Sequence, residues 1–441
     1  MLLWSQDRDF EHIEEIIWVT TEEMMECRNQ VFAKNLVFSE ERKIMKNILL
    51  KDVNIFNGKD DKIEGNLSIL IKDGKIAEIS SKPAVPAGEI EEIDCKGMTV
   101  LPGLINVHAH LSLDAEVPFE ESLEESTEMT LLKIVKNGRL TLEAGITTIR
   151  ELGCRDHLDF AYREGVERGI VPGPRMLLSG KVITKTGGHG YFLGREADGE
   201  AEIMKAVREQ VKAGADVVKV MSTGGVMTEG VEPGLALYTF EEVKAAADEA
   251  KRSRKLTASH AQGTEGIQNA VLAGIDTIEH GIYMTEEIIE LMIERGTYWV
   301  PTLTPGERLT DPCATELIPE YAMEKANRVK PIHRENFAKF CHREGLKLGI
   351  GSDSGVPLVL HNDIVTEMEI FTEYGFSNFD VLKLTTYGNA ELLQMQDKIG
   401  AIEVGMEADI IGVCGNPLES LSVLRKPNMV MKEGVIWYRS I

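Results

Sequence analysis

Short apolar runs fill the middle of this 441-residue chain, and five of them close on six side chains able to bind a metal ion. Residues 100–110 read Val-Leu-Pro-Gly-Leu-Ile-Asn-Val-His-Ala-His and deliver His108 and His110. Lys219 closes Asp-Val-Val-Lys-Val, His260 closes Leu-Thr-Ala-Ser-His, His280 closes Asp-Thr-Ile-Glu-His, and Asp353 closes Leu-Gly-Ile-Gly-Ser-Asp-Ser. A strand alternates its side chains, so His108 and His110 face the same way and can grip one ion. Strand ends converge on one spot in a β/α barrel, which is how that fold builds a site. Eight strands are expected, over 99–107, 146–151, 174–180, 216–221, 256–260, 276–280, 298–303 and 347–353. Helical stretches such as 200–213 and 240–253 fall between them, giving the count of an α/β, (β/α)8 TIM-type barrel.

The flanks have a different pattern. Runs over 48–58 and 66–79 alternate apolar with polar residues, and Asp73-Gly74 between two such runs signals a hairpin. Residues 405–413 and 429–437 repeat that style near the other end. One small β-sandwich assembled from 46–98 and 405–441 is therefore expected, around a barrel over 99–404. Residues 1–45 are rich in Glu and Met and hold no candidate site residue. They read either as an extra helical arm or as the product of an upstream start codon, with Met24, Met25 and Met45 as other beginnings.

A formal charge of −24 argues against nucleic acid or anionic membrane as a partner, because phosphate would be repelled. The six cysteines (27, 95, 154, 313, 341 and 414) form no Cys-x-x-Cys pair, so reduced structural thiols are expected. The N-terminus turns charged at once, and no later stretch reaches the length of a membrane span; a cytoplasmic protein is the expectation. A homo-oligomer is compatible with the chain, although no heptad or exposed apolar run specifies one.

Lys219 carries the chemistry furthest. With Val217, Val218 and Val220 as neighbours, it is costly to bury as a cation. Such a lysine ordinarily snorkels or pairs with a carboxylate; set among histidine ligands, a neutral amine can instead take up carbon dioxide as a carbamate. That anionic group could bridge two divalent ions, with His108 and His110 on one and His260 and His280 on the other. Asp353 would then serve as ligand and as base, taking a proton from a metal-bridging water that two cations acidify to hydroxide. Imidazole with hard oxygen suits zinc first, with manganese, cobalt or iron also compatible.

With these residues the sequence resembles the amidohydrolase superfamily, and within it the prolidase-like and Xaa-Arg/Lys carboxypeptidase-like dipeptidases related to imidazolonepropionase. The likeness spans 48–441. Beyond the ligands it includes Thr-Gly-Gly-His-Gly (186–190), Gly-Arg-Glu-Ala-Asp-Gly (194–199), the run 219–227, His-Ala-Gln-Gly-Thr-Glu-Gly (260–266), and Ile-Glu-His-Gly (278–281). It implies hydrolysis of an amide bond in a dipeptide or N-acyl amino acid, with a carboxylated lysine at Lys219. For the substrate, His189 in its glycine-rich loop is a candidate donor, and Arg195 a candidate partner for a carboxylate. Tyr238, Tyr283 and His361 follow barrel strands and are candidates to line the pocket. His361-Asn362 departs from the glycine that many relatives carry after this histidine. The alternative activities are a cyclic-amide hydrolase and a heterocycle deaminase. Those typically place a glutamate three residues after the strand-five histidine, where this chain has Gly263. A scaffold that had lost catalysis would ordinarily have lost ligands, and all six are kept.

Overall fold

The computed structural model describes residues 47–84, 90–312 and 315–440. The expected N-terminal arm lies outside them, as do Cys27 and Cys313; Cys95, Cys154, Cys341 and Cys414 are unbridged. The alternating residues of the first flank form β1 (Asn47–Ile55), β2 (Glu64–Lys72), β3 (Lys75–Ser80), β4 (Ile90–Asp94) and β5 (Met98–Pro102). The hairpin expected at Asp73-Gly74 joins β2 to β3, with both turn residues at positive φ.

The run expected to be one strand over 99–107 is two. β5 belongs to the flanking sheet, and β6 (Leu104–Ala109) opens the parallel region. The chain switches sheets at Gly103, whose N–H donates to Asp409 O at 2.9 Å. A Cβ at this position would lie 2.1 Å from Thr147 Oγ1, so the crossing needs glycine.

The parallel strands continue as β7 (Ile146–Glu151), β8 (Arg175–Leu178), β9 (Val182–Thr184), β10 (Gly194–Glu196) and β11 (Val217–Met221). They run on through β12 (Leu256–Ala261), β13 (Thr277–His280), β14 (Tyr298–Val300) and β15 (Lys347–Leu348). One sheet is β6-β7-β8, the other β10-β9-β11-β12-β13-β14-β15. Backbone bonds join the two at both seams: Asp216 N to Leu178 O at 2.8 Å, and His110 N to Ser354 O at 2.8 Å. β9 and β10 were not expected, because three residues are too few to show a period. The eighth strand keeps only two of its expected residues. From Gly349 to Asp353 the chain follows β6 irregularly, with Asp353 N donating to His108 O at 2.9 Å.

Helices cover the parallel strands. Phe240–Arg252, for example, starts at a capping box in which Thr239 and Glu242 satisfy each other's backbone N–H. Trp299, Phe337 and Phe371 stack edge-to-face in the core between strands and helices. The chain then returns to the first sheet through β16 (Ile410–Cys414), β17 (Met429–Lys432) and β18 (Val435–Arg439), in the order β18-β17-β16-β5-β1-β2-β3 with β4 beside β1. Leu50, Val53, Ile69, Ile410 and Met431 form one core there, so both ends of the described chain are packed together. No helix among the described residues is long and apolar enough to cross a membrane.

Candidate active site

Register explains how distant residues meet. In the β11–β12–β13 ladder Met221 pairs with His260 and Ala261 with His280, while Lys219 pairs with Ala258, two residues deeper. The long lysine stem offsets that depth. His108 closes β6 beside His110, and Asp353 arrives from the far seam. His108, His110, Lys219, His260, His280, Asp353 and His189 line one cavity at the C-terminal ends of the strands. Ring centroids lie 5.3 Å apart for His108 and His110, 5.2 Å for His108 and His280, and 4.5 Å for His260 and His280. Asp353 Oδ1 stands 3.3 Å from Nε2 of both His108 and His110. Ligand atoms of His108, His280 and Asp353 all fall within 4.8 Å of one another, a group able to hold a metal ion.

Each imidazole is held by its other nitrogen, which assigns the tautomer. His108 Nδ1 donates to Glu279 Oε2 at 2.9 Å, and His110 Nδ1 to Gly153 O at 3.2 Å. Thr302 gives its hydroxyl proton to Pro301 O, so it accepts from His280 Nδ1 at 2.6 Å. All three keep Nε2 for the cavity. His260 is reversed: Nε2 donates to Gly224 O at 3.1 Å and Nδ1 is left free. Anchored imidazoles with one bare nitrogen are the donor set a divalent transition metal requires.

Burial, ahead of neighbouring charge, holds His108 and His260 well below the ordinary histidine range, and lowers His189 and His280 to about 3. All four are therefore neutral ligands or donors at pH 7. Burial pushes the Asp353 carboxyl up, but His108, His110 and His280 together outweigh it and hold it below its usual value. Lys219 is 2 % exposed, and its ammonium makes no hydrogen bond or ion pair among the described residues. Burial lowers it to about 8, against the pull of Glu279 and Asp353. His280, Thr302 and Asp353 all sit at positive φ (70°, 49° and 58°), a conformation that costs non-glycine residues roughly 1–3 kcal/mol each.

His189 belongs to this group. Its Nδ1 meets Thr228 Oγ1 at 2.8 Å and its ring lies 4.3 Å from that of His260. The four other candidates for substrate binding are not among the residues lining the cavity. Arg195 is held by Glu209 at 2.9 Å and Glu202 at 2.8 Å, which neutralise it away from the site. Tyr238 is buried in the core with its hydroxyl on Ala197 O, and His361 is turned to Leu113 O at 3.0 Å. Tyr283 packs among the apolar residues around the cavity without lining it.

Sequence reasoning missed the groups behind the ligands. Glu279, which orients His108, is itself held by Arg150 Nη2 at 2.8 Å, and both are fully buried. Arg150 Nε also donates to Val107 O at 2.7 Å, tying the pair to β6. An arginine inside Ile-Thr-Thr-Ile-Arg-Glu carried the same signal as Lys219. His333, in the helix Glu320–Phe340, lines the cavity and donates Nε2 to His280 O at 3.0 Å; a lone histidine on a helix gives no such signal. Apart from Gln262, Thr302 and Lys330, the remaining walls are apolar, including Phe119, Phe192, Met227 and Val329.

Parallel strands presenting imidazoles and a carboxylate at one cavity define a metal-dependent hydrolase acting on carbon–nitrogen bonds. The amidohydrolase family model matches residues 99–436, and the chain belongs to that family. It is similar to a Xaa-Pro dipeptidase crystallised with methionine in its active site, at 32 % identity and a TM-score of 0.83 over 90 % of this chain and 100 % of that one. A prolidase complexed with N-methylphosphonate-L-proline is 28 % identical, with a TM-score of 0.83 over the same shares. Ochratoxinase from Aspergillus niger is 26 % identical over 401 residues, covering 83 % of this chain and 81 % of that enzyme.

Proposed function

We propose that this protein is a binuclear amidohydrolase cleaving the amide bond of a dipeptide or N-acyl amino acid. In this reading the strands from β6 to β15 belong to a closed (β/α)8 catalytic barrel, and the sheet of β1–β5 with β16–β18 to a β-sandwich domain. The observation that carries it is Lys219: fully buried, without a hydrogen-bond or ion-pair partner among the described residues, and set among His108, His110, His260 and His280. As a carbamate it would share two ions, zinc first, between the two histidine pairs. Bound there, the ions would acidify a shared water and polarise the substrate carbonyl.

The chain's own residues supply the rest. Asp353, held ionised by the facing histidines, accepts the proton of the attacking water and returns it to the leaving nitrogen. Neutral His189 donates to the carbonyl oxygen as charge develops there. The apolar walls favour Xaa-Pro or other apolar substrates over Xaa-Arg/Lys, since among the described residues Asp353 is the one carboxylate lining the cavity. The deaminase or cyclic-amide alternative typically places a glutamate at the position of Gly263. A Cβ there would lie 2.1 Å from Gly234 O, so no side chain fits. The test is a screen of zinc-replete protein against dipeptides and N-acyl amino acids, scoring released amino acid. Cleavage of a defined apolar set is expected. Silence across the library from protein holding two metals would overturn the reading in favour of cyclic amides.

A further inference from the structure

Apart from the ligand-type residues, five polar side chains line the cavity: His189, Gln262, Thr302, Lys330 and His333. Four are engaged by the protein. His189 meets Thr228, Thr302 serves His280 and Pro301 O, His333 donates to His280 O, and Lys330 pairs with Glu307 at 2.7 Å. Gln262 is different. It is 5 % exposed, and its Oε1 is buried with no hydrogen-bond partner among the described residues.

Gln262 is not loosely placed. Its N–H donates to Thr223 Oγ1 at 2.9 Å and its carbonyl accepts from Tyr283 N at 2.8 Å. It follows His260 by two residues, so strand alternation sends both side chains toward the same space. Buried acceptors in folded proteins are nearly always satisfied, and an exception facing a cavity points to a ligand that supplies the donor.

Resting on the amide-hydrolysis reading, we propose that Gln262 is a substrate-binding residue whose side-chain oxygen accepts a hydrogen bond from a substrate N–H. Two substrate groups offer that chemistry beside the scissile carbonyl: the secondary amide N–H and a free α-ammonium. The residue therefore selects for substrates that carry a donor, and a tertiary amide without a free amine leaves the oxygen unmet.

Phosphonamidates make the probes. N-methylphosphonyl-L-leucine carries the amide-type N–H, its N-methylated derivative carries none, and the aminomethylphosphonyl form of that derivative carries only the ammonium. Calorimetric affinities for all three are compared between metal-loaded wild type and Gln262→Met, with metal content and circular dichroism checked. Gln262→Met is expected to weaken the N–H ligand or the ammonium ligand by about tenfold while sparing the N-methylated one. Whichever ligand loses affinity identifies the donor. Gln262→Ala serves in the same comparison if the methionine variant does not fold. Equal weakening of all three, or none, overturns the assignment alone. Failure of metal-loaded wild type to bind any of them overturns the underlying reading instead.

Discussion

The cavity of the parallel sheets and the sheet built from both chain ends each bury a lysine on a strand, and the two have opposite fates. Lys219 sits in Val-Val-Lys-Val and Lys432 in Met-Val-Met-Lys, both with apolar neighbours. Burial lowers the pKa of each. Lys432, however, donates to Gly173 O at 2.9 Å, beside Glu433 and Asp409. Lys219 makes no hydrogen bond or ion pair among the described residues and faces a cavity ringed by imidazoles. Burial alone does not make a reactive lysine. In the proposed reading, what sets Lys219 apart is an amine without a hydrogen-bond partner among the described residues, where the pull of Glu279 and Asp353 does not repay the lost hydration.

The contrast can be broken most sharply at Lys219. Lys219→Ala should lose bound metal and lower turnover by about 10³-fold or more, with partial rescue by short carboxylic acids, checked by metal analysis and steady-state rates. Full activity in that variant would end the carbamate proposal. Asp353→Asn should retain much of its metal while kcat falls by about 10²–10⁴-fold. His189→Ala should cost about 10²-fold in kcat with metal content unchanged, and an unaltered rate would remove it from the site.

Titration separates the two regions further. In protein stripped of metal, His108, His189, His260, His280 and His333 have lowered folded-state pKa values, so below about 6.5 the unfolded chain binds more protons. Stability should fall as pH drops from 6.5 toward 4, on the order of several kcal/mol, read as a lower urea midpoint at pH 5 than at pH 7. Glu151, pushed well above its ordinary value by burial, and Asp159 and Glu367, raised to about 7, work in the opposite direction over this window and offset part of it. Zinc should blunt the effect by holding the imidazoles neutral. The described strands of the terminal sheet carry no histidine. The smallest change is expected from Lys432→Met: stability altered by about 1–2 kcal/mol and turnover unchanged. Loss of metal there would erase the distinction between the lysines.

All six ligand-type residues were legible because each lies in or just beyond a short apolar run whose period of two shows in any window. His189 was legible from the glycines around it. Arg195, Tyr238 and His361 looked equally well placed, since a loop position after a strand says nothing about competing partners. Glu202 and Glu209 take up Arg195, and carbonyls from elsewhere in the chain take the other two. Arg150, Glu279 and Gln262 were overlooked for a related reason. Their roles depend on which atoms across the sheets remain unpaired.

The order of βα units, the two-ended origin of the flanking sheet and the chemical identity of the imidazole, amine and carboxylate groups at the cavity follow from local pattern, since alternation and turn signals act over a few residues. Which nitrogen of each histidine faces the cavity, which of two similar lysines is left without a partner, and where a buried acceptor waits for a donor were decided only in the tertiary structure. Those outcomes rest on distances of about 3 Å between residues that are far apart in the chain, and hydrogen bonding is too short-ranged for any window of sequence to reveal them.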